Sequence, residues 1–581
     1  MTRHDLSASF AFADRMLEQM TLPEKAGQMA QVEKGAITPD EAAEHAVGSI
    51  LSGGGGNPSP NTPEGWRAMV EPFVEASRSS RLGIPVLYGT DAVHGHNNLR
   101  GATMFPHNIG LGATGDEDLV EQVFRATAVE TAATGARWGF SPTVAVALDP
   151  RWGRTYESFG DDPALVSRLG AAAVRGLQGP TPDDPSAVLA CSKHFVGDGG
   201  AAWGTASAPA WTTWWDDWDE NWQIDQGDAR CDEDELRAVH LPPHAAAVDA
   251  GALSVMASYS SWNGEKCHGN RRLLTDVLKR ELGFEGFVVS DWMGVDQLDA
   301  DPRRAVVMAV GAGVDMVMVP FDFRRFIDDV VVSVESGDLG AERVDDAVRR
   351  ILAVKHAFGL FSDPAPPPSL DLVGLKEHRD LAAEAAAASA VLLHDPDGVV
   401  PVRSAQVLLA GVGADDIGLQ CGGWTIEWQG MPGDITPGTT IRQGLDGTGA
   451  QVAFDSEARF GGGVTAPVGI VVVAEPPYAE GMGDRPDLAL PDEDVALVER
   501  MRPLVERLVL VVLSGRPLFL DPVIDRCDAV VAAWLPGTQA GGLADVLVGR
   551  RPLTGHLPRA WPAASRSQRA PSWPRGHGIT R

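Results

Sequence analysis

Five short apolar runs in the first half of the chain are each followed by a polar side chain of a type that handles protons or hydroxyl groups. Asp91 follows 85–89 (PVLYG), Arg154 lies in the loop after 143–147 (TVAVA), and Lys193 and His194 follow 187–191 (AVLAC). Tyr259 follows 253–257 (LSVMA), and Asp291 closes 286–290 (GFVVS) directly before Trp292. Carboxylates, cationic donors and an aromatic face together suit the cleavage of a glycosidic bond. That reaction needs two carboxyl groups flanking the anomeric carbon, donors for sugar hydroxyls, and apolar faces for the C–H side of the ring. In this scheme Asp291 is the candidate nucleophile and Asp91 the acceptor for two adjacent hydroxyls. Each residue also has a plainer use. An Asp closing a strand is more often a helix cap or an ion-pair partner, and Arg154, Lys193 and His194 have Asp149, Glu157 and Asp161 as alternative partners in barrel loops.

The elements that must position these residues alternate. A sixth apolar run lies at 314–319 (VDMVMV), and helix-like segments fall at 117–134, 163–177, 271–282 and 340–357. Such alternation predicts βαβ units and a parallel sheet. In a closed parallel barrel all five polar positions fall on one C-terminal rim, where that fold carries its active sites. The expected fold class is therefore α/β, with a (β/α)8 TIM-like barrel over residues 1–361. The stretch 362–369 (SDPAPPPS) opens a proline-rich linker, 362–376. Beyond it an Ala-rich helix, 378–391, and strands at 406–411, 469–474, 508–513 and 528–533 predict an α/β sandwich over 377–581, with helices at 491–503 and 538–547. The active site is expected between the two domains, and the Pro-, Arg- and Ser-rich end from about 561 is expected to wrap the surface.

Composition narrows the partners. The 581 residues carry 79 acidic against 48 basic side chains, a formal net charge of −31. Nucleic-acid binding calls for a basic footprint that is missing here, and anionic lipid or polyanionic substrates would be repelled. A small neutral oligosaccharide is the expected partner, with no nucleic acid and no membrane; association into a homo-oligomer stays open. Five cysteines, at 191, 231, 267, 421 and 527, show no C-x-x-C spacing and suit a reducing compartment. The first twenty residues lack a signal-peptide pattern and no apolar run approaches the ~20 residues of a membrane span. A cytoplasmic location is the resulting expectation. His94 and His96 lie two apart with no third ligand nearby, which suits loop hydrogen bonding better than zinc. The run Asp216, Asp217, Asp219, Glu220 lacks the spacing of a calcium loop.

Several strings resemble glycoside hydrolase family 3: LYGTDAVHGH, LDPRWGRTYESFG, SKHFVGDGG, MASYSSWNG, FVVSDWMG, CGGWTIEWQG and EPPYAEGMGD. Seven motifs in order, from about residue 14 to near the C-terminus, are similar to the branch containing plant and bacterial β-D-glucan exohydrolases. The resemblance implies a barrel followed by an α/β sandwich with the active site between them. It implies Asp291 as nucleophile, Asp91, Arg154, Lys193 and His194 as holders of the non-reducing glucose, and Tyr259 near the nucleophile. It places the acid/base in the second domain at Glu480, with Glu475 as the competing candidate, and it implies an indole clamp of Trp292 and Trp428 for the next sugar. No metal or organic cofactor is expected. A retaining exo-acting β-glucosidase is the expected activity, its two carboxyl groups ~5–5.5 Å apart.

Some features depart from that pattern. Residues 203–222 hold six tryptophans, which suit an aromatic extension of the sugar groove or a self-packed loop or subunit contact. N-acetylglucosaminidases of the family carry a KH-F-P-G-H-G string. Val196 and Asp198 stand where its Pro and His would be, which disfavours their histidine acid/base. A β-xylosidase shares the nucleophile and is the alternative within the family. A non-catalytic glycan-binding protein, a phosphorylase and a transglycosylase are the alternatives of other kinds.

Overall fold

The computed structural model describes residues 4–209, 222–362, 367–562 and 573–581. Eight short strands form the first domain: β1 (Ala30–Glu33), β2 (Ser49–Ser52), β3 (Leu87–Thr90), β4 (Trp138–Gly139), β5 (Leu189–Phe195), β6 (Ser254–Ala257), β7 (Phe287–Val289) and β8 (Val317–Met318). They pair in sequence order, all parallel, with β8 beside β1. A single parallel bridge, Val289 to Met316, joins β7 to the segment entering β8 and closes the ring. Helices follow the strands on the outside. Pro163–Gln178 is typical: Asp162 caps it by accepting the Ala164 N–H, and Pro163 occupies a first-turn position whose missing N–H costs nothing. Glu117–Ala133 and Pro302–Ala312 are capped in the same way by Asp116 and Asp301.

One expected strand is displaced. The run 143–147 is buried but is no strand; the fourth strand is Trp138–Gly139 instead. Pro142 has no N–H to give to the ladder. Just beyond it the chain keeps a single bridge to β5, Thr143 to Lys193, with Val144 donating to the Lys193 carbonyl at 2.7 Å. It then turns away, Ala147 donating to the Gly160 carbonyl at 3.1 Å. The run 314–319 contributes Val317–Met318 as a strand and Met316 as the closing bridge. The first two strands, AQVE and SILS, are too short and mixed to stand out as apolar runs.

The second domain is a six-stranded sheet of β9 (Val391–His394), β10 (Gln406–Ala410), β11 (Gln451–Phe454), β12 (Ala466–Ala474), β13 (Val505–Leu513) and β14 (Ala529–Trp534). Their spatial order is β9-β14-β13-β12-β10-β11, with only β9 antiparallel to its neighbour. Central strands such as VERLVLVVL are apolar on both faces because both are covered. Leu445, Leu543 and Leu547 pack on one face. Leu497, Val498 and Met501 pack on the other, which also receives Val93, Ile109 and Tyr156 from the barrel loops. Burying each large aliphatic side chain contributes roughly 1.5–3 kcal/mol, so this shared cluster docks the domains. The linker residues 363–366 and the tail residues 563–572 lie outside the described residues.

Ring closure carries an ionic element. Asp315 is fully buried, accepts the Val288 N–H at 2.8 Å and Lys279 Nζ at 2.7 Å, and also pairs with Arg343. Removing one partner of a buried pair leaves uncompensated charge. Asp315→Ala is therefore expected to destabilise the barrel by about 3–5 kcal/mol, read as a lower urea midpoint against the wild type.

Candidate active site

Asp91 directly follows β3, Lys193 and His194 lie within the end of β5, Tyr259 stands two residues past β6, and Asp291 two past β7. Arg154 comes from the long loop after β4, beside the turn Thr155–Glu157. From the second domain, Trp428 and Glu480 reach the same space. All nine side chains named from the sequence line one cavity of about 400 Å3 at the C-terminal rim, together with Phe140, Met256 and Trp424. A second cavity of about 410 Å3, near Glu24, Asp40 and Arg81, contains none of them.

One wall of the cavity is organised by Arg154. Its Nε and Nη2 donate to the two oxygens of Glu157 at 2.8 and 2.9 Å, and its Nη1 meets Glu480 Oε1 at 3.2 Å. Glu157 also accepts from Trp424 Nε1 at 3.0 Å, and the neighbouring Arg154 holds it below its ordinary value against the opposing effect of burial. Arg154 Nη2 lies 3.1 Å from His194 Nε2. A guanidinium only donates, so Nε2 is the acceptor and Nδ1 carries the proton toward Asp198 Oδ2 at 2.8 Å. Burial, then the Arg154 and Lys193 charges, hold His194 far below its ordinary value, so it is neutral. Burial pushes Asp198 up to about 7. Lys193 Nζ sits 5.7 Å above the Trp424 ring, an ammonium on a π-face. Asp91 accepts from Asn98 at 3.3 Å and is pushed up to about 6 by burial, against the charge of Lys193.

Asp291 is fixed through one oxygen and its backbone. Oδ1 accepts the Trp292 N–H at 2.7 Å, and the Asp291 N–H donates to His268 Nε2 at 2.9 Å. Oδ2 is buried, accepts no hydrogen bond among the described residues, and lies 3.6 Å from His194 Nε2. Tyr259 donates its hydroxyl to the Trp292 carbonyl. Burial raises the Asp291 carboxyl above its ordinary value, while Arg154, Lys193 and the Trp292 N–H oppose it. Trp292 stands edge-to-face with Phe321, 5.6 Å between centroids.

Glu480 and Glu475 have different surroundings. Glu475 is spent on structure: Tyr478 donates to it at 3.0 Å, the Gly515 N–H at 3.1 Å, and Arg516 Nε lies 3.2 Å away. It does not line the cavity. Glu480 does, and it is raised well above its ordinary value, first by burial and then by the charges of Asp225, Asp291 and Glu157, with Arg154 opposing. Asp225, not singled out from the sequence, accepts from Trp152 Nε1 at 2.9 Å and is itself pushed up to about 7 by burial. It lies at the end of the Trp-rich segment, of which residues 210–221 fall outside the described residues.

Backbone strain gathers here. Ala92, Met293, Trp424, Ile426 and Glu480 all have φ between +45° and +62°, a region costly for side chains and tolerated where the surroundings over-determine it. His94 and His96 do serve the loop: His94 bonds the Phe105 carbonyl and Thr425, and His96 bonds Thr134. Burial pushes them down to about 4 and about 3. Among the described residues no group of three or more His, Cys, Asp or Glu could hold a metal ion.

A profile of the glycosyl hydrolase family 3 N terminal domain matches residues 21–354, and one of its C-terminal domain matches 390–580. The chain belongs to glycosyl hydrolase family 3. This family 3 glycoside hydrolase is 32% identical to the lysosomal beta glucosidase of Dictyostelium discoideum, over 96% of this chain and 73% of that protein. It is 30% identical to the periplasmic beta-glucosidase of Salmonella typhimurium, over 95% and 74% respectively. Among solved structures it is similar to a point mutant of the exo-1,3/1,4-beta-glucanase from a Pseudoalteromonas species, with a TM-score of 0.91 and 37% identity, covering 100% of this chain and 96% of that one.

In this family 3 enzyme Asp198 fixes both the tautomer and the plane of His194. Asp198→Ala is expected to lower kcat/KM on an aryl glycoside by roughly 10–100-fold, the value of one hydrogen bond to a charged group, with most of the loss in KM.

Proposed function

We propose that the protein is a retaining exo-acting β-glucosidase that releases glucose from the non-reducing end of β-gluco-oligosaccharides. The observation that carries this reading is the pairing of two unlike carboxyls across one cavity. Asp291 has an uncommitted oxygen and two cations beside it. Glu480 is held protonated by burial and by its acidic neighbours. Environments that push two carboxyls apart assign the acid and the base.

Glucose is held by Asp91, Lys193, His194 and Arg154, and the next sugar sits between Trp292 and Trp428. Glu480 gives its proton to the leaving oxygen as the C1–O bond breaks, and Asp291 Oδ2 forms the new bond to C1. Water then attacks C1 while the Glu480 carboxylate takes its proton, freeing Asp291 and β-glucose. The β-glucosidases and the exo-glucanase named above support glucose as the sugar and exo attack as the mode.

Asp291→Asn is expected to cut turnover of 4-nitrophenyl β-D-glucoside by roughly four orders of magnitude or more, and NMR of wild-type hydrolysis to show β-glucose first. An enzyme inert on the glucoside yet active on the β-xyloside would move the substrate assignment and leave the mechanism. The pH profile of kcat/KM is also fixed in sign. Its acid limb reports Asp291 and Asp91, both raised by burial, Asp91 to about 6, so activity falls with dropping pH above the ordinary carboxylate range. Its alkaline limb reports loss of the Glu480 proton. Asp225→Asn removes a negative neighbour, stabilises the Glu480 carboxylate, and is expected to shift that limb to lower pH.

A further inference from the structure

The turn that carries Glu480 is gripped from the barrel side by a carboxylate four residues further on. Asp484 is buried, and its Oδ1 accepts the Gly153 N–H at 2.8 Å. Its Oδ2 accepts three consecutive N–H groups, those of Gln223, Ile224 and Asp225, at 2.9, 2.7 and 2.9 Å. One side chain of the second domain thus ties together two separate loops of the barrel. The first loop carries Arg154, one residue past Gly153, and Arg154 reaches Glu480. The second delivers Asp225, whose charge favours the protonated form of Glu480.

The fit at this junction leaves no room for adjustment. A Cβ on Gly153 would stand 1.9 Å from the Glu480 carbonyl oxygen and 2.8 Å from Gly483 Cα. A Cβ on Gly481 would meet the Trp222 indole at 2.2 Å. On the sheet side Arg516 donates to the Gly483 carbonyl at 2.7 Å and to the Tyr478 hydroxyl at 2.8 Å. Glu480 itself sits at φ +53°, a conformation a glutamate keeps only when its neighbours impose it.

We propose that Asp484 is a positioning residue for proton donation: its carboxylate clamps the Gly153–Arg154 loop and the 223–225 segment onto the Glu480 turn and so aims the Glu480 proton at the leaving oxygen. This rests on Glu480 being the acid/base. Asp484 does not touch the sugar; it acts through the backbone it holds. An amide in its place keeps one acceptor and turns two N–H donors toward groups that are themselves donors. The turn then relaxes, and the proton arrives from the wrong place.

The test uses kcat/KM on aryl β-glucosides of graded leaving-group ability, per active site counted by the burst of released phenol. The variants are Asp484→Asn, which loosens the clamp, and Gly153→Ala, whose methyl group forces the Gly153 loop away from the Glu480 turn, with Glu480→Ala as reference. For phenyl β-glucoside, which needs protonic assistance, the loss is expected at roughly 10–100-fold, part of the ~10²–10⁴-fold that general acid catalysis supplies. For 2,4-dinitrophenyl β-glucoside, whose leaving group needs no proton, the loss is expected to stay within about threefold. Asp484→Glu, which keeps the charge, is expected to recover part of the phenyl activity. Equal losses on both substrates, or none on either, would overturn the inference if Glu480→Ala shows the leaving-group dependence. A flat profile in Glu480→Ala overturns the acid/base assignment and the inference with it. Where Asp484→Asn does not fold, Asp484→Glu decides: a loss in it equal on both substrates overturns the inference.

Discussion

The buried guanidinium of Arg154 is the interaction on which the site depends. It touches Glu157, His194 and Glu480, so one cation sets the charge of a barrel carboxylate, the tautomer of a barrel histidine and the setting of an acid from the other domain. Taking such an ion out of water costs several kcal/mol, and the mutual attraction repays that only when its donors are well matched. Here the fork is matched, and the surrounding excess of carboxyls guarantees that Arg154 stays charged. Asp91, Asp198, Asp225, Asp291 and Glu480 are all raised, by burial first.

Much of this was legible in the sequence. Strands of a parallel barrel are short and apolar, and the residues just past their C-terminal ends face the rim. Asp91, Lys193, His194, Tyr259 and Asp291 could therefore be read as neighbours without any contact information. The resemblance to family 3 supplied Glu480 and Trp428, which no periodicity links to the barrel. The misplaced fourth strand shows the limit of counting apolar residues. Val144, Val146 and Ala147 are as buried as any strand, but burial comes from packing, and past Pro142 only one bridge, Thr143 to Lys193, joins this run to the sheet.

Asp484, Asp225 and Trp424 were not legible as site residues, for a common reason. Their partners lie far away in the chain: Asp484 bonds residues about 260 and 331 positions distant, and Trp424 bonds Glu157 across 267. A composition window cannot see such pairs. Trp424 had the nearest visible clue, four residues before Trp428 in CGGWTIEWQG. Glu475 was visible and its use was not. Its hydrogen bonds from Tyr478 and the Gly515 N–H, its ion pair with Arg516 and its place outside the cavity set it apart from Glu480.

Dividing the two carboxyls between domains also gives the enzyme an order of assembly. The ribosome makes the barrel first, with Asp91, Arg154, Lys193, His194 and Asp291 complete. Glu480 comes 189 residues later, on the order of ten to forty seconds at ordinary elongation rates. In that interval the nascent barrel has Asp291 and one side of the cavity but neither Glu480 nor Trp428. The cavity is thus complete only when the second sheet has folded and Asp484 has found its four N–H groups.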